Sequence, residues 1–305
     1  MPGTISPDRA AISGNLGFLD LFEGGNLYYQ GYVGPHNSDS SMVAVNTIAS
    51  LRTSLSSSLS GLLYAVVPSK ASCLPENYPL LLPNRPTSVF TEIRDFLGPI
   101  AGHVFFEEML CDSLYERQRR WLQTDSHWSS HGAHQAAASL LAVLGIPAPL
   151  VRDQHVDLGW GGDLCGRWGE GAPFALEDRE VLLGHDQARE AVFDNGNGLI
   201  HSANIGRLIH WNNKSAPVQA NLVVIGGSSS GTGHTSEHLT YWLSMVFSNT
   251  YFLHSPNCPT DLLQELSPDF LLLQTTERFL QFPYVQTVTL GSLKESFARR
   301  IAEKK

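Results

Sequence analysis

Basic residues and long apolar runs are both scarce in this 305-residue sequence. Twenty Lys and Arg are outnumbered by 29 Asp and Glu, which gives a formal net charge of −9, and no Lys/Arg-rich run occurs. That balance lacks the basic footprint of a nucleic-acid-binding protein. The longest apolar runs, such as residues 61–68, are shorter than the roughly 20 residues that a membrane-spanning helix needs. We therefore predict no nucleic-acid partner and no membrane span.

Cysteine is scarce as well, and its spacing excludes two kinds of site. The four cysteines are scattered and include no C-x-x-C pair: Cys73, Cys111, Cys165 and Cys258. We expect reduced thiols rather than a disulfide framework or a zinc site.

The first 14 residues have neither the basic region nor the apolar core of a signal peptide. These features predict a cytoplasmic protein, or a periplasmic or extracellular one if a leader has been removed.

Apolar runs and periodic patterns alternate along the chain. Short apolar runs predict strands, and apolar residues three or four apart predict helices. The predicted strands are 62–67, 222–225, 250–253 and 269–273, with short strands within 14–34; the predicted helices are 48–62, 131–144, 235–247 and 292–305, with helical turns at 91–97 and 104–114. Strands that alternate with helices predict an α/β fold with a mainly parallel sheet flanked by helices.

Residues 151–213 differ from the rest of the chain. The segment is rich in Gly, Asp, Trp and His and poor in long apolar runs, so we predict a loop-rich insertion. Its tryptophans, Trp160, Trp168 and Trp211, could stack on a sugar ring, although tryptophans more often fill a core.

A Gly/Ser turn follows the predicted strand at 222–225. The stretch reads NLVVIGGSSSGTGH over 221–234, and Gly226 and Gly227 could adopt the positive φ that a sharp turn requires. Acyl-transfer enzymes present a nucleophilic serine at the end of a strand, beside backbone N–H groups. An ordinary Gly/Ser loop is about as plausible from these residues alone.

A second motif lies about a hundred residues upstream, in TDSHWSSHGAHQAAA over 124–138. In a turn, Asp125 and His127 can converge on a third group as the acid and base of a triad. The alternative is a metal site that also uses His131 and His134. We favour an ordinary surface or capping role for those two histidines.

The serine itself has more than one candidate. Residues 227–231 fit the G-x-S-x-G elbow of α/β-hydrolases, which would make Ser229 the nucleophile. That fold needs a histidine after the serine, and the candidates are His234, His238 and His254. Under this interpretation Asp125 and His127 would have no role.

The motifs together resemble the alginate O-acetyltransferases, SGNH-hydrolase-like enzymes in which the acid–base pair precedes the nucleophile. The Asp125-Ser126-His127-Trp128 segment resembles their D-x-H-W motif. Further segments follow the family's order at 14–25, 66–79, 162–164 and 268–280, so the resemblance spans nearly the whole chain. The family's serine block usually reads G-D-S, where this chain has Gly226-Gly227-Ser228.

The resemblance implies a single SGNH-hydrolase-like catalytic domain over 1–305, with a three-layer fold. It places the nucleophile at Ser228 rather than Ser229 or Ser230, served by His127 and Asp125. The implied activity is acetyl transfer to a carbohydrate hydroxyl, with an acetyl donor as co-substrate and no tightly bound cofactor or metal. The implied substrate-binding or oxyanion residues are Gly227, Ser229, Lys70, Asp163 and Arg278.

Three other functions remain open at this stage. Water in place of the sugar would make the same triad an esterase. A carbohydrate-binding protein with a decayed site would keep the tryptophans alone. A metal-dependent hydrolase would use the histidine cluster.

Lys70 follows a predicted strand at its carboxyl end, where open α/β sheets bind ligands. A surface lysine in a loop is the alternative interpretation.

Overall fold

The computed structural model describes residues 9–11, 18–21, 27–29, 46, 49–51, 53–55, 59–74, 103–104, 106, 112–122, 125–160, 177–184, 188–196, 205–277 and 288–303. Its strands are β1 (Arg9–Ala11), β2 (Phe18–Leu21), β3 (Leu27–Tyr29), β4 (Gly61–Val67), β5 (His103–Val104), β6 (Val151–Trp160), β7 (Glu177–Gly184), β8 (Arg189–Asp194), β9 (Leu208–Asn213), β10 (Val218–Gly226), β11 (Phe247–His254) and β12 (Phe270–Thr276). Its helices are α1 (Lys70–Cys73), α2 (Leu114–Arg119), α3 (Ser130–Val143), α4 (Leu239–Leu243), α5 (Thr260–Leu266) and α6 (Leu290–Glu303).

Seven strands form the central sheet in the order β5-β4-β12-β10-β11-β9-β8. The pairings from β5 through β11 are all parallel, whereas β9 pairs antiparallel with both β11 and β8. The carboxyl ends of β4, β12, β10 and β11 therefore meet at one edge of the sheet, where open α/β sheets carry their ligand sites. The predicted α/β class with a mainly parallel sheet is confirmed.

Helices cover both faces of the sheet because successive apolar residues of its central strands point to opposite faces. Leu63, Ala65 and Val67 of β4 share a buried cluster with the alanines and leucines of α3. The intervening residues of β4 face the opposite cluster, which includes Leu262 of α5 and Leu293 of α6. This alternation makes the predicted three layers, with helices on each side of one sheet.

The segment 151–213 contains more strand than its composition predicts. It supplies the antiparallel β6–β7 hairpin, and β8 and β9 extend the central sheet. The side chains of β8 are mainly exposed, as befits an edge strand. Apolar runs identify strands that are buried on both faces. The strands of this segment lack such runs, so the sequence did not predict them.

One predicted helix is shorter, and one predicted helical turn begins with a strand residue. Helix α4 covers only Leu239–Leu243 of the predicted 235–247, and Phe247 already begins β11. The reason is local: the N–H groups of Leu239 and Thr240 donate to the carbonyls of Ser229 and Ser230, so an α-helical ladder cannot begin earlier. Residues 103–104 form a strand rather than the start of a helical turn. The predicted turns at 91–97 lie outside the described residues.

None of the helices in the described part of the chain is long and apolar enough to cross a membrane. Cys73 and Cys258 are free, buried thiols, as predicted, whereas Cys111 and Cys165 lie outside the described residues. Burial raises the pKa of Cys258 to about 12, so its thiol stays protonated at neutral pH.

Candidate functional site

The Gly/Ser turn emerges from the carboxyl end of β10 at the middle of the sheet. A Cβ on Gly226 would lie 2.7 Å from Gln274 Oε1 and 2.8 Å from Ser230 Oγ, so close packing requires glycine there. The left-handed residues are Gly231 (φ +61) and Gly233 (φ +74), not Gly226 and Gly227 as we expected. At Gly227 a Cβ would meet nothing within 4 Å. The sharp reversal therefore comes later in the turn than the sequence suggested.

Only one of the three serines meets the upstream histidine. The Oγ of Ser228 lies 2.7 Å from His127 Nε2, and its side chain is half-buried. Ser230 is fully buried and donates to Gln274 Oε1 at 2.8 Å. Ser229 is buried as well. The geometry therefore pairs His127 with Ser228, the serine that the family resemblance indicated.

Asp125 completes a hydrogen-bonded line with His127 and Ser228. Its Oδ1 lies 2.6 Å from His127 Nδ1 and also accepts the backbone N–H of His127 at 2.9 Å. A carboxylate that accepts the N–H two residues on forms a tight turn, which lets side chains two apart converge. A carboxylate on Nδ1 places the ring proton there and leaves Nε2 free to accept the serine proton.

Hydrogen bonds from Lys70 and Trp128 anchor the segment that carries Asp125. Lys70 is 5 % exposed, and its Nζ donates to the carbonyl of Leu122 at 2.6 Å and to that of Asp125 at 3.5 Å. Trp128 is buried and donates its indole N–H to Glu237 O at 2.9 Å. Lys70 is therefore not a surface lysine: it holds the backbone of the acid-bearing segment.

His131 and His134, the other members of the predicted metal cluster, have partners elsewhere. His131 Nε2 lies 3.4 Å from a guanidinium nitrogen of Arg119, and His134 Nε2 lies 3.4 Å from Pro149 O. The His134 ring also packs edge-on against Trp242. No group of three or more His, Cys, Asp or Glu side chains within the described ranges is arranged to hold a metal ion.

The downstream histidines each have a different environment. His234 Nε2 lies 3.5 Å from Asp194 Oδ2, and His238 Nδ1 lies 3.4 Å from Thr235 Oγ1. Burial, followed by the nearby charges of Arg300, His127 and Arg207, lowers the pKa of His254 to about 4. These contacts give no support to the α/β-hydrolase interpretation, in which one of the histidines would serve Ser229.

The N–H groups of the turn separate into two kinds. Gly227 donates its N–H to Gln274 Oε1 at 3.0 Å. This N–H is therefore already used within the protein and is not available for the oxyanion role that was predicted for Gly227. For the N–H groups of Ser228 and Ser229, no acceptor is found among the residues that the structure describes. Sequence reasoning missed Gln274; the signal for it was the first polar residue after the apolar run of β12.

Other predicted residues lie outside the site or outside the described chain. Asp163, Trp168 and Arg278 belong to the undescribed ranges, and only the backbone of Trp160 is described. Trp211 is buried and donates its indole N–H to Thr232 O at 3.0 Å, so it is a core residue rather than a sugar-stacking platform.

No protein-family model matches the chain, and no curated protein matches it either. Solved structures match in fold. Bacillus cereus PatB1 with a sulfonyl adduct aligns with a TM-score of 0.65 and 12 % identity, over 91 % of this chain and 100 % of that one. A DHHW family protein from Eubacterium siraeum aligns with a TM-score of 0.63 and 12 % identity, over 95 % and 98 % of the two chains.

The O-acetyltransferase domain of Pseudomonas putida AlgJ aligns with a TM-score of 0.57 and 15 % identity, over 91 % of this chain and 99 % of that one. Identities this low show the fold alone. The chain shares with these structures the α/β fold, a mainly parallel sheet flanked by helices, that the family resemblance implied.

Proposed function

We propose that this protein is a serine-dependent O-acyltransferase that moves an acetyl group to a carbohydrate hydroxyl through an acyl-serine intermediate. The observation that carries the proposal is the continuous line of hydrogen bonds from Asp125 through His127 to Ser228. It lies at the carboxyl edge of the sheet, where this fold class binds ligands. The fold likeness to an O-acetyltransferase domain supports the same reaction class.

In the first half-reaction the Ser228 hydroxyl attacks the carbonyl carbon of an acetyl ester. His127 Nε2 takes the hydroxyl proton as the new C–O bond forms, and the carbonyl electrons move onto oxygen. The ester C–O bond then breaks, and His127 returns the proton to the leaving oxygen. Asp125 keeps the imidazole in the required tautomer and stabilises its cation.

In the second half-reaction an acceptor hydroxyl attacks the acetyl-Ser228 ester. His127 removes the proton from that hydroxyl and returns it to Ser228 Oγ, which restores the free enzyme. The N–H groups of Ser228 and Ser229 are the backbone candidates to hold the oxyanion in both halves. If water replaces the sugar hydroxyl, the same residues catalyse ester hydrolysis, which is the second candidate function.

A non-catalytic carbohydrate-binding role fits the described residues less well. A decayed site has no reason to keep Asp125, His127 and Ser228 at hydrogen-bond distances, and one of the tryptophans proposed to stack on sugar is buried.

The test compares 4-nitrophenyl acetate turnover by wild type, Ser228→Ala, His127→Ala and the neighbouring control Ser229→Ala. We expect kcat in the first two variants to fall by at least about 10⁴-fold, because nucleophile and base act as one unit. Ser229→Ala should retain most activity, and a mass increase of one acetyl group should map to Ser228 in wild type. Full activity of Ser228→Ala would sink the proposal, and loss of wild-type turnover on adding a chelator would favour the metal-dependent alternative.

A further inference from the structure

His238 lies between the segment that carries His127 and the turn that carries Ser228. It is flanked by Glu237, whose carbonyl accepts the Trp128 indole N–H at 2.9 Å, and by Leu239, whose N–H donates to Ser229 O at 3.2 Å. Trp128 directly follows His127, and Ser229 directly follows Ser228. Hydrogen bonds therefore tie the backbone before His238 to the segment that carries His127, and the backbone after His238 to the turn that carries Ser228.

The imidazole of His238 rests on the nucleophile turn, in space that only a glycine leaves open. A Cβ on Gly231 would lie 1.9 Å from His238 Cδ2 and 2.6 Å from its Nε2. Gly231 is three residues beyond Ser228 and has a φ of +61. The same residue therefore allows the backbone to turn and the ring to approach, which packs the half-buried ring of His238 against the turn.

The ring is uncharged over the range in which the proposed reaction would run. Burial, followed by the nearby charges of His127, His234, Arg207 and Arg189, lowers the pKa of His238 to about 3. A neutral imidazole has one donor nitrogen and one acceptor nitrogen. In the tautomer whose Nδ1 accepts from the Thr235 hydroxyl, 3.4 Å away, the ring proton is on Nε2. His238 then offers an N–H donor and does not compete with His127 as a base.

The turn offers a small set of backbone donors to an acyl oxygen. The Gly227 N–H is already bonded to Gln274 Oε1. This leaves the N–H groups of Ser228 and Ser229 as backbone candidates, and oxyanion holes often add a side-chain donor to such N–H groups.

We propose that His238 is that side-chain donor: its Nε2–H binds the oxyanion that forms when Ser228 attacks the acyl carbonyl. The inference rests on the proposed function. As the Ser228 Oγ–C bond forms, the carbonyl electron pair moves onto oxygen and His238 donates its hydrogen bond there, while the serine proton passes to His127. No proton leaves His238, and the hydrogen bond weakens when the C–O bond to the leaving group breaks and the carbonyl re-forms.

The experiment measures 4-nitrophenyl acetate turnover and Ser228 acetylation by His238→Ala and His238→Gln. His210→Ala serves as a control, since His210 lies on β9 and bonds to Asn249 on β11. We expect kcat to fall about 10²-fold in His238→Ala with KM nearly unchanged, because an oxyanion donor acts mainly in the transition state. His238→Gln keeps a neutral N–H donor and should recover at least about tenfold of that loss. His210→Ala should resemble wild type.

Three outcomes would overturn the inference. The first is a His238→Ala variant within about twofold of wild-type kcat, which is far below the effect of losing an oxyanion donor. The second is a glutamine variant as slow as the alanine variant when both unfold at the wild-type midpoint, and the third is a rise in KM alone. A wild type that neither releases nitrophenolate nor acetylates Ser228 would instead overturn the proposed function itself.

Discussion

Two Asp–His pairs lie among the residues that the structure describes, and they are built differently. Asp125 and His127 are separated by one residue, and their side-chain atoms approach to 2.6 Å. Asp194 and His234 come from β8 and from the far end of the Gly/Ser turn, and approach only to 3.5 Å. Both carboxylates are largely buried. The residue types match, so any difference in function must come from what else each residue contacts.

The remaining contacts distinguish the proposed catalytic pair from an anchoring one. His127 binds the carboxylate through Nδ1 and presents Nε2 to Ser228. His234 turns its Nε2 toward Asp194, whose oxygens also accept from Arg207 Nε at 3.1 Å and Nη2 at 2.7 Å. Arg207 is fully buried, so Asp194 mainly neutralises an interior cation. An Asp–His pair is thus suited to catalysis when the second ring nitrogen meets a nucleophile.

The largest expected effect separates the two carboxylates by activity. Asp125→Asn should lower kcat for 4-nitrophenyl acetate by about 10⁴-fold, because an amide favours the wrong His127 tautomer. Asp194→Asn should leave kcat within a few-fold of wild type but lower the free energy of unfolding by about 3 kcal/mol, since it removes the carboxylate that pairs with the buried Arg207 charge. Equal losses of activity in the two variants would erase the distinction.

A smaller effect is expected from Lys70, which holds the segment that carries the proposed catalytic pair. Lys70→Met preserves the length of the side chain but removes the hydrogen bonds to the Leu122 and Asp125 carbonyls. A displacement of the acid by about 1 Å can cost about 10²-fold, so we expect kcat to fall between ten- and a hundredfold. The control is Lys294→Met on α6. Turnover and urea unfolding should be measured together; undiminished kcat in Lys70→Met would show that the segment holds its position without the ammonium.

The smallest effect is a pH dependence of the anchoring pair. Burial raises the pKa of Asp194, but hydrogen bonds from His234, Arg207 and Gly196, with the Arg207 charge, outweigh it and hold the pKa well below its usual value of 3.8. A lowered carboxyl pKa stabilises the fold fully above the unfolded value, and this contribution is lost as pH falls below it.

The corresponding measurement is urea unfolding of wild type and Asp194→Asn at pH values from about 7 down to about 2.5. The stability difference between them should be constant above about pH 5 and shrink below about pH 4. A difference that persists undiminished at the acid end would mean that Asp194 is not stabilised as an anion.

Local sequence was sufficient for much of this structure. The apolar runs located β4, β10, β11 and β12, because a buried parallel strand must be apolar on both faces. The alanine-rich pattern located α3 to within a residue or two. The Asp125–His127 contact was also accessible, since two residues in one turn can meet whatever the rest of the chain does.

The Gly/Ser turn was recognisable as a candidate site, but the choice among Ser228, Ser229 and Ser230 depends on a contact between residues 101 positions apart. The family resemblance indicated Ser228; composition and spacing did not. The contacts of Lys70 and Gln274 likewise join segments that are far apart in the sequence. Periodicity records which face of an element is buried, whereas strand order in the sheet decides which loops meet at its carboxyl edge, and only the assembled sheet specifies that order.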